Sequence, residues 1–311
     1  RDMAKTDSQL FVFDYDLFCS SLGKTVIADH RMYYLGDVRL TWEHLPALCG
    51  QYLGYIRPLA SHTRKCIVLD LDNTLWGGVV GEDGLEGIHL GPTPEGRSYW
   101  EFQKLLLGLW QRGVILAVNS KNNPDDAIGV LREHSSTVLR EEHFAAMRIN
   151  WLDKGANLID LADELNLGLD SLVFIDDDQA NRDRIRAAFP EVFVVDLPDD
   201  PALYPATLMS LNLFNTFQLT EEDLTKGTLY SQRKQRELDR EAMSLDEHLA
   251  SLETVVTIRS ADSAIIPRIS QLTQKTNQFN MTTRRYLEED IQKFAANSAY
   301  DVVCCSVRDR F

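Results

Sequence analysis

The sequence has few cysteines, and none of them lies in a metal-binding or redox pattern. The five are Cys19, Cys49, Cys66, Cys304 and Cys305, an odd number without a C-x-x-C pair. Neither a zinc site nor a disulfide framework is therefore indicated. We expect a protein with reduced thiols in the cytoplasm.

The sequence also has little positive charge and no long hydrophobic run. Among 311 residues, 32 are Lys or Arg and 47 are Asp or Glu, which gives a net charge of −15. Nucleic-acid binding usually requires a basic surface, so we expect no nucleic-acid partner. No apolar run approaches the ~18–20 residues of a membrane span, and the first residues do not have a signal-peptide pattern. We therefore expect no membrane partner.

The composition is that of a globular protein, with 44% hydrophobic and 25% charged residues. The length favours about two domains, and changes in character along the chain favour three parts. Residues 1–64 form an N-terminal segment, interpreted as the tail of a truncated domain, with a short buried strand predicted at 10–13 and a helix within 40–59. Residues 65–218 form the main domain. Residues 219–311 form a helical linker and a partial third unit.

Short apolar runs alternate with helical patterns in residues 65–218. Four runs predict strands, at residues 66–69, 114–118, 172–175 and 192–195. Continuously apolar strands that alternate with helices predict an α/β fold with a parallel sheet covered on both faces. In such sheets ligands bind at the carboxyl ends of the strands.

Polar residues follow these predicted strands. Asp70, Asp72 and Thr74 follow the first, Asn119 and Ser120 end the second, and Asp176 and Asp177 follow the third, while Lys154 begins a predicted helix. The parallel sheet would gather these residues at one edge. This convergence predicts a phosphoryl-transfer site.

Each residue type suits a separate task in that chemistry. Asp70 is the predicted nucleophile, and Asp72 is the predicted general acid and base. A magnesium ion needs oxygen ligands, which Asp70, the Asp72 carbonyl, Asp176 and Asp177 could supply. The predicted phosphate contacts are Thr74, Asn119, Ser120 and Lys154, the lysine also neutralising charge.

These residues, in this order along the chain, resemble a known family. The order of Asp70, Asp72, Thr74, Ser120, Lys154, Asp176 and Asp177 is similar to the four motifs of the haloacid dehalogenase (HAD) superfamily. Four strings resemble the FkbH-like proteins of polyketide biosynthesis, in a subfamily IIIC-type arrangement: KCIVLDLDNTLWGGVVGEDG (65–84), NSKN (119–122), FIDD (174–177) and TNQFN (276–280).

The resemblance implies a HAD-type Rossmann-like fold, with a partial GNAT-like segment at the C-terminal end. The 33 residues between Ser120 and Lys154 are too few for a large cap domain, and residues 76–90 are enough only for a small hairpin flap. The resemblance also implies magnesium-dependent dephosphorylation of a phosphorylated three-carbon acid similar to 1,3-bisphosphoglycerate. The glyceryl or lactyl-like unit would pass to the phosphopantetheine arm of an acyl carrier protein. An enzyme thiol would carry the acyl group in between, and Cys66 is the leading candidate, although an early position on a central strand predicts burial.

Four further residues are candidates for substrate binding: Trp76, Asn277, Gln278 and Asn280. Two other functions stay open on the sequence. One is a simple HAD small-molecule phosphatase, which would release phosphate without loading a carrier. The other is a catalytically silent docking module of a synthase, which would keep the motifs without turnover.

Overall fold

The fold is given by a computed structural model of the chain. It describes residues 10–60, 62–217, 253–275, 282 and 284–309. The chain divides into two compact units, Arg1–Thr228 and Leu229–Phe311. Among the described residues, no helix is both long and apolar enough to cross a membrane.

The first unit is built on a five-stranded parallel sheet of order β3-β2-β1-β4-β5. Its strands are β1 (Cys66–Leu69), β2 (Ile115–Ser120), β3 (Phe144–Ile149), β4 (Leu172–Ile175) and β5 (Phe193–Val194). Every residue of β1, β2 and β4 is buried, which is why these strands are almost continuously apolar in sequence. The predicted α/β parallel sheet is confirmed.

Nine α-helices of this unit are described. They are α1 (Tyr15–Leu22), α2 (His30–Gly36), α3 (Leu45–Leu59), α4 (Val80–Gly87), α5 (Arg97–Gln111), α6 (Pro124–Glu133), α7 (Lys154–Glu164), α8 (Gln179–Ala188) and α9 (Tyr204–Ser210). Four of them begin at an aspartate whose carboxylate accepts backbone N–H groups, and two of these four lie at the sheet edge, Asp153 for α7 and Asp178 for α8. These caps fix where each helix starts beside the sheet edge.

The N-terminal segment packs on the rest of the first unit. Asn212 donates its amide to the carbonyl of Gly50 at 3.2 Å, and Arg57 donates to the carbonyl of Leu211. The predicted strand at residues 10–13 is wrong, because these residues have no strand partner. Phe11 instead stacks on Phe217, with 4.1 Å between the ring centroids.

The connection after β1 differs from the predicted hairpin flap. Only one antiparallel bridge forms, in which the Gly77 and His89 backbones exchange hydrogen bonds of 3.0 and 2.8 Å. The bridge closes a loop that contains helix α4, so a helix replaces most of the hairpin. Between Ser120 and Lys154 the chain forms α6, a short 3-10 turn and β3. Neither connection holds a cap domain, as the sequence predicts.

The described part of the second unit contains two strands and two helices. Strands β6 (Val255–Ser260) and β7 (Val303–Arg308) pair antiparallel, and the helices are α10 (Ile266–Lys275) and α11 (Glu288–Ala295). Asn277, Gln278 and Asn280 lie outside the described residues, as does the predicted helix that follows residue 218.

Candidate active site

The strand register brings the predicted acids together. Leu69 at the end of β1 pairs with Ile175 at the end of β4, so Asp70 and Asp176 both leave the sheet at the same level. The Asp70 backbone N–H donates to the Ile175 carbonyl at 2.9 Å, which continues the pairing one residue further. The predicted convergence at this edge is confirmed.

Lys154 connects two of these acids. Its Nζ lies 2.8 Å from Asp70 Oδ2 and 2.6 Å from Asp176 Oδ2, and its side chain is only 5% exposed. Burial alone would lower the pKa of Lys154, but the two carboxylates outweigh it and raise that pKa. Lys154 therefore places a buried positive charge between Asp70 and Asp176, and its expected phosphate contact stays a prediction.

Three carboxylates form a compact oxygen cluster. Oxygens of Asp70, Asp176 and Asp177 all lie within 4.8 Å of one another. Burial, followed by the charges of Asp70 and Asp176, raises the pKa of Asp177 to about 6. Burial and the Asp70 charge also raise the pKa of Asp176. The cluster therefore holds more negative charge than Lys154 alone balances.

Among the described residues, two buried side-chain oxygens have no hydrogen-bond partner, Asp70 Oδ1 and Thr74 Oγ1. The first of these is an oxygen of Asp70, one of the three acids of the cluster. Carboxylate oxygens are hard ligands of the kind that divalent magnesium prefers. Asp70, Asp176 and Asp177 therefore fit such a cation. The expected contacts from the Asp72 carbonyl and the Thr74 hydroxyl stay predictions.

Backbone and side-chain donors hold Asp176 and Asp177 in place. The Asp178 backbone N–H donates to Asp176 Oδ1 at 3.0 Å, while the Asp178 carboxylate caps α8 instead of joining the cluster. The buried Arg182 donates to the carbonyls of Asp176 and Asp177 at 2.8 and 2.5 Å. Sequence reasoning missed Arg182, whose only signal is a cation near a helix N-terminus, where the helix dipole disfavours it.

Asp72 lies beside the cluster and is held separately. Its carboxylate accepts hydrogen bonds from Trp76 Nε1 at 2.8 Å, the Val80 backbone N–H at 3.1 Å and Asn122 Nδ2 at 2.8 Å. Burial, with a smaller effect of Asp70, raises the pKa of Asp72 although these donors oppose the shift. The prediction that Trp76 binds substrate needs correction, because its side chain is fully buried and its N–H is used by Asp72.

Asn119 also has a role different from the predicted phosphate contact. Its side chain is fully buried, donates to the Lys154 carbonyl at 2.8 Å and accepts from Asn157 Nδ2 at 3.1 Å. Both ends of the amide are therefore occupied, and the side chain positions the start of α7. Ser120 ends β2 at the same edge, where its carbonyl accepts the Asn150 backbone N–H at 3.1 Å. Its expected phosphate contact stays a prediction.

Cys66 lies at the other end of β1 from Asp70. Its side chain has no exposed surface, and burial raises the pKa of its thiol. A thiolate is the reactive form of cysteine, so these surroundings make the side chain inert. The expected burial is confirmed, and the acyl-acceptor role stays a prediction that this environment disfavours.

Solved structures resemble the chain, although no protein-family model and no curated protein matches it. One is the N-terminal part of the protein BF1531 from Bacteroides fragilis, which contains a phosphatase domain complexed with Mg. It is 34% identical with a TM-score of 0.66, and the match covers 69% of this chain and 57% of that one. The chain has the HAD-type Rossmann-like fold. It spans little more than half of the BF1531 structure.

Two further matches are 3-deoxy-D-manno-octulosonate 8-phosphate phosphatases, from Moraxella catarrhalis and Haemophilus influenzae. Both are 16% identical, with TM-scores of 0.30 and 0.26. They cover 58% and 61% of this chain and 99% of their own.

Proposed function

We propose that the chain is a magnesium-dependent phosphatase that uses Asp70 as its nucleophile. The observation that carries the proposal is the geometry around Asp70. One of its oxygens lies 2.8 Å from Lys154 Nζ, and the other is buried without a hydrogen-bond partner. The same carboxylate is one of the three in the cluster with Asp176 and Asp177. Support comes also from the Mg-complexed phosphatase domain of BF1531, at 34% identity.

The proposed reaction has two steps. In the first, an Asp70 oxygen forms a bond to phosphorus while the bond to the leaving oxygen breaks, and Asp72 gives that oxygen a proton. In the second, Asp72 takes a proton from water, which attacks the aspartyl phosphate and frees Asp70. Substrate and water are thereby converted to alcohol and inorganic phosphate.

The fixed charges of the site suit this sequence. Lys154 holds Asp70 in place and offers a positive charge where the phosphoryl oxygens gather. Ser120, at the end of β2, and Thr74, in the turn after β1, are the proposed hydroxyl donors to these oxygens. The attack of one anion on another is otherwise disfavoured by charge repulsion.

Magnesium would be held by Asp70, Asp176 and Asp177. When bound, it supplies Lewis-acid stabilisation of the charge on the phosphoryl group. The same carboxylates repel one another without a cation. Burial, followed by the charges of Asp70 and Asp176, raises the pKa of Asp177 to about 6. A divalent ion would relieve this repulsion.

We therefore expect magnesium to stabilise the fold as well as to support turnover. At a magnesium concentration ~100 times its Kd, the free energy of unfolding should rise by ~2.7 kcal/mol, because the ion binds the folded cluster alone. Urea denaturation with magnesium and with EDTA measures this, and EDTA should also stop phosphate release. Asp177→Asn should raise the magnesium concentration that is needed for this stabilisation at least ~10-fold, since one anionic ligand is lost.

Asp178→Asn is the matched control, because it makes the same charge change one residue away and asparagine also caps helices well. It should keep the wild-type magnesium response. Equal stability with magnesium and with EDTA in the wild type would contradict the metal site.

We further propose that the phosphate is removed from a phosphorylated three-carbon acyl donor and that the acyl unit passes to an acyl carrier protein. The resemblance of residues 65–84 and 119–122 to FkbH-like proteins supports this choice. The absence of a cap domain between Ser120 and Lys154 is consistent with it, because an open site suits a substrate delivered on a protein arm.

The acyl transfer does not require a second nucleophile on the enzyme. For a donor such as 1,3-bisphosphoglycerate, the phosphopantetheine sulfur bonds to the acyl carbon while the bond from that carbon to the phosphate oxygen breaks. Inorganic phosphate leaves, and the thiol proton is released to solvent. Hydrolysis at the other phosphate yields the free hydroxyl of the glyceryl unit. The burial of Cys66 favours direct transfer to the carrier over an intermediate on this residue.

Intact-mass spectrometry tests the transfer. With 1,3-bisphosphoglycerate and magnesium, we expect a carrier protein bearing phosphopantetheine to gain the mass of one glyceryl group, while the carrier without that arm gains none. Cys66→Ser should load the carrier as well as the wild type does. Phosphate release without a loaded carrier would leave a simple phosphatase, and magnesium binding without either reaction would leave a silent docking module.

A further inference from the structure

The Asp72 carboxylate has both oxygens engaged by this chain. Oδ1 accepts from Trp76 Nε1 at 2.8 Å and from the Val80 backbone N–H at 3.1 Å, and Oδ2 accepts from Asn122 Nδ2 at 2.8 Å. The donors come from two different connections, one after β1 and one after β2. The plane of the carboxylate is therefore fixed from two sides.

The two side-chain donors, Trp76 and Asn122, are themselves held in a fixed orientation. Trp76 is fully buried and is among the largest side chains in the core, and its indole N–H can only donate. Asn122 is 3% exposed, and its Oδ1 accepts the Asn123 backbone N–H at 3.1 Å. That second bond commits the amide nitrogen to Asp72.

A fixed carboxylate matters most where a proton is transferred. General acid catalysis requires the acid within hydrogen-bond reach of the leaving oxygen, and small displacements cost large factors in rate. The Asp72 carboxylate would rotate about its side-chain bonds without these donors. A leaving group that departs as a stable anion needs little help from such an acid.

We propose that Trp76 and Asn122 are positioning residues that hold the Asp72 carboxyl group toward the leaving oxygen. The proposal rests on the proposed phosphatase function. It assigns both residues to one step, the cleavage of the bond to the leaving oxygen, and to substrates whose leaving oxygen must be protonated. It gives Trp76 no contact with substrate.

Two phosphate esters test this assignment. 4-Nitrophenyl phosphate has a leaving group that departs as an anion, and glycerol 3-phosphate has an alkoxide that needs a proton. Trp76→Phe keeps a buried aromatic ring without the N–H. It should lower kcat/KM for glycerol 3-phosphate by ~10- to 100-fold, and by less than ~3-fold for 4-nitrophenyl phosphate. Asn122→Ala, a second variant at a different position, should show the same difference between substrates.

Two controls separate positioning from general damage. Trp110→Phe also removes a packed indole, whose ring centroid lies 4.8 Å from that of the His143 ring. It should leave kcat/KM for both substrates at the wild-type value. In an Asp72→Asn background, Trp76→Phe should have no further effect on glycerol 3-phosphate, since residues that act through one group are not additive. Thermal unfolding of each variant confirms that it is folded under assay conditions.

The outcomes are distinguishable from failure of the proposed function. Equal losses with both esters in folded variants, with an active wild type, would overturn the positioning role and leave the phosphatase standing. Additive effects of Trp76→Phe and Asp72→Asn would overturn it as well. A wild type that releases phosphate from neither these esters nor 1,3-bisphosphoglycerate would overturn both.

Discussion

Asp70→Asn should abolish phosphate release, with a loss on the order of 10⁴-fold or more, because an amide does not attack phosphorus as a carboxylate does. The loss should be in kcat for every phosphate ester, whatever its leaving group. Phosphate release under single-turnover conditions measures it directly. No phosphorylated protein should accumulate in the variant.

The fold should tolerate this change. An amide at this position would lose the charge attraction to Lys154, which lies 2.8 Å from the Asp70 carboxylate, but it would also remove repulsion from Asp176 and Asp177. These two effects oppose each other, so thermal unfolding should change little. Asp178→Asn is the control, since its carboxylate caps α8 outside the cluster. Near-normal turnover in folded Asp70→Asn would contradict the nucleophile assignment.

The central site was predictable because the residues that follow parallel strands all lie at the same edge of the sheet. Continuous apolar runs identify β1, β2 and β4, and the strand register then places their last residues side by side. Asp70, Ser120 and Asp176 each follow or end such a run. Their convergence depends on backbone pairing alone, which periodicity reveals.

The supporting contacts were not predictable in the same way. Trp76 is read equally well as an entrance residue or a buried one, and the bond from its indole to Asp72 depends on how the loop with α4 folds. Asn119 ends a strand at the site edge, yet its side chain turns inward to the Lys154 carbonyl. Residues 10–13 read as a strand because apolar composition does not tell whether a sheet edge is available to them.

Lys154 should contribute both to the stability of the fold and to phosphate release. Its ammonium group lies between two carboxylates at 2.8 and 2.6 Å, and the Asp176 side chain it contacts has no exposed surface. Removing one partner of a buried ion pair leaves the other charge uncompensated, which costs more than the pair contributes. Here two carboxylates would be left facing each other.

We expect Lys154→Met to lower the free energy of unfolding by ~3–5 kcal/mol at neutral pH in EDTA, a cost typical of a broken buried pair. Methionine keeps much of the side-chain volume, so the loss reports charge more than packing. Urea denaturation with the slope held in common measures it. Phosphate release should also fall by at least ~10²-fold, because the phosphoryl charge loses its fixed cation.

Magnesium distinguishes this charge effect from a packing defect. A divalent ion at Asp70, Asp176 and Asp177 would supply part of the missing positive charge, so it should stabilise Lys154→Met by more than it stabilises the wild type. Lys121→Met changes an exposed lysine beside Ser120 and should leave stability unchanged within ~0.5 kcal/mol. A variant as stable as the wild type in EDTA would contradict the buried ion pair. A deficit that magnesium leaves undiminished would show that packing, and not charge balance, is what Lys154 provides.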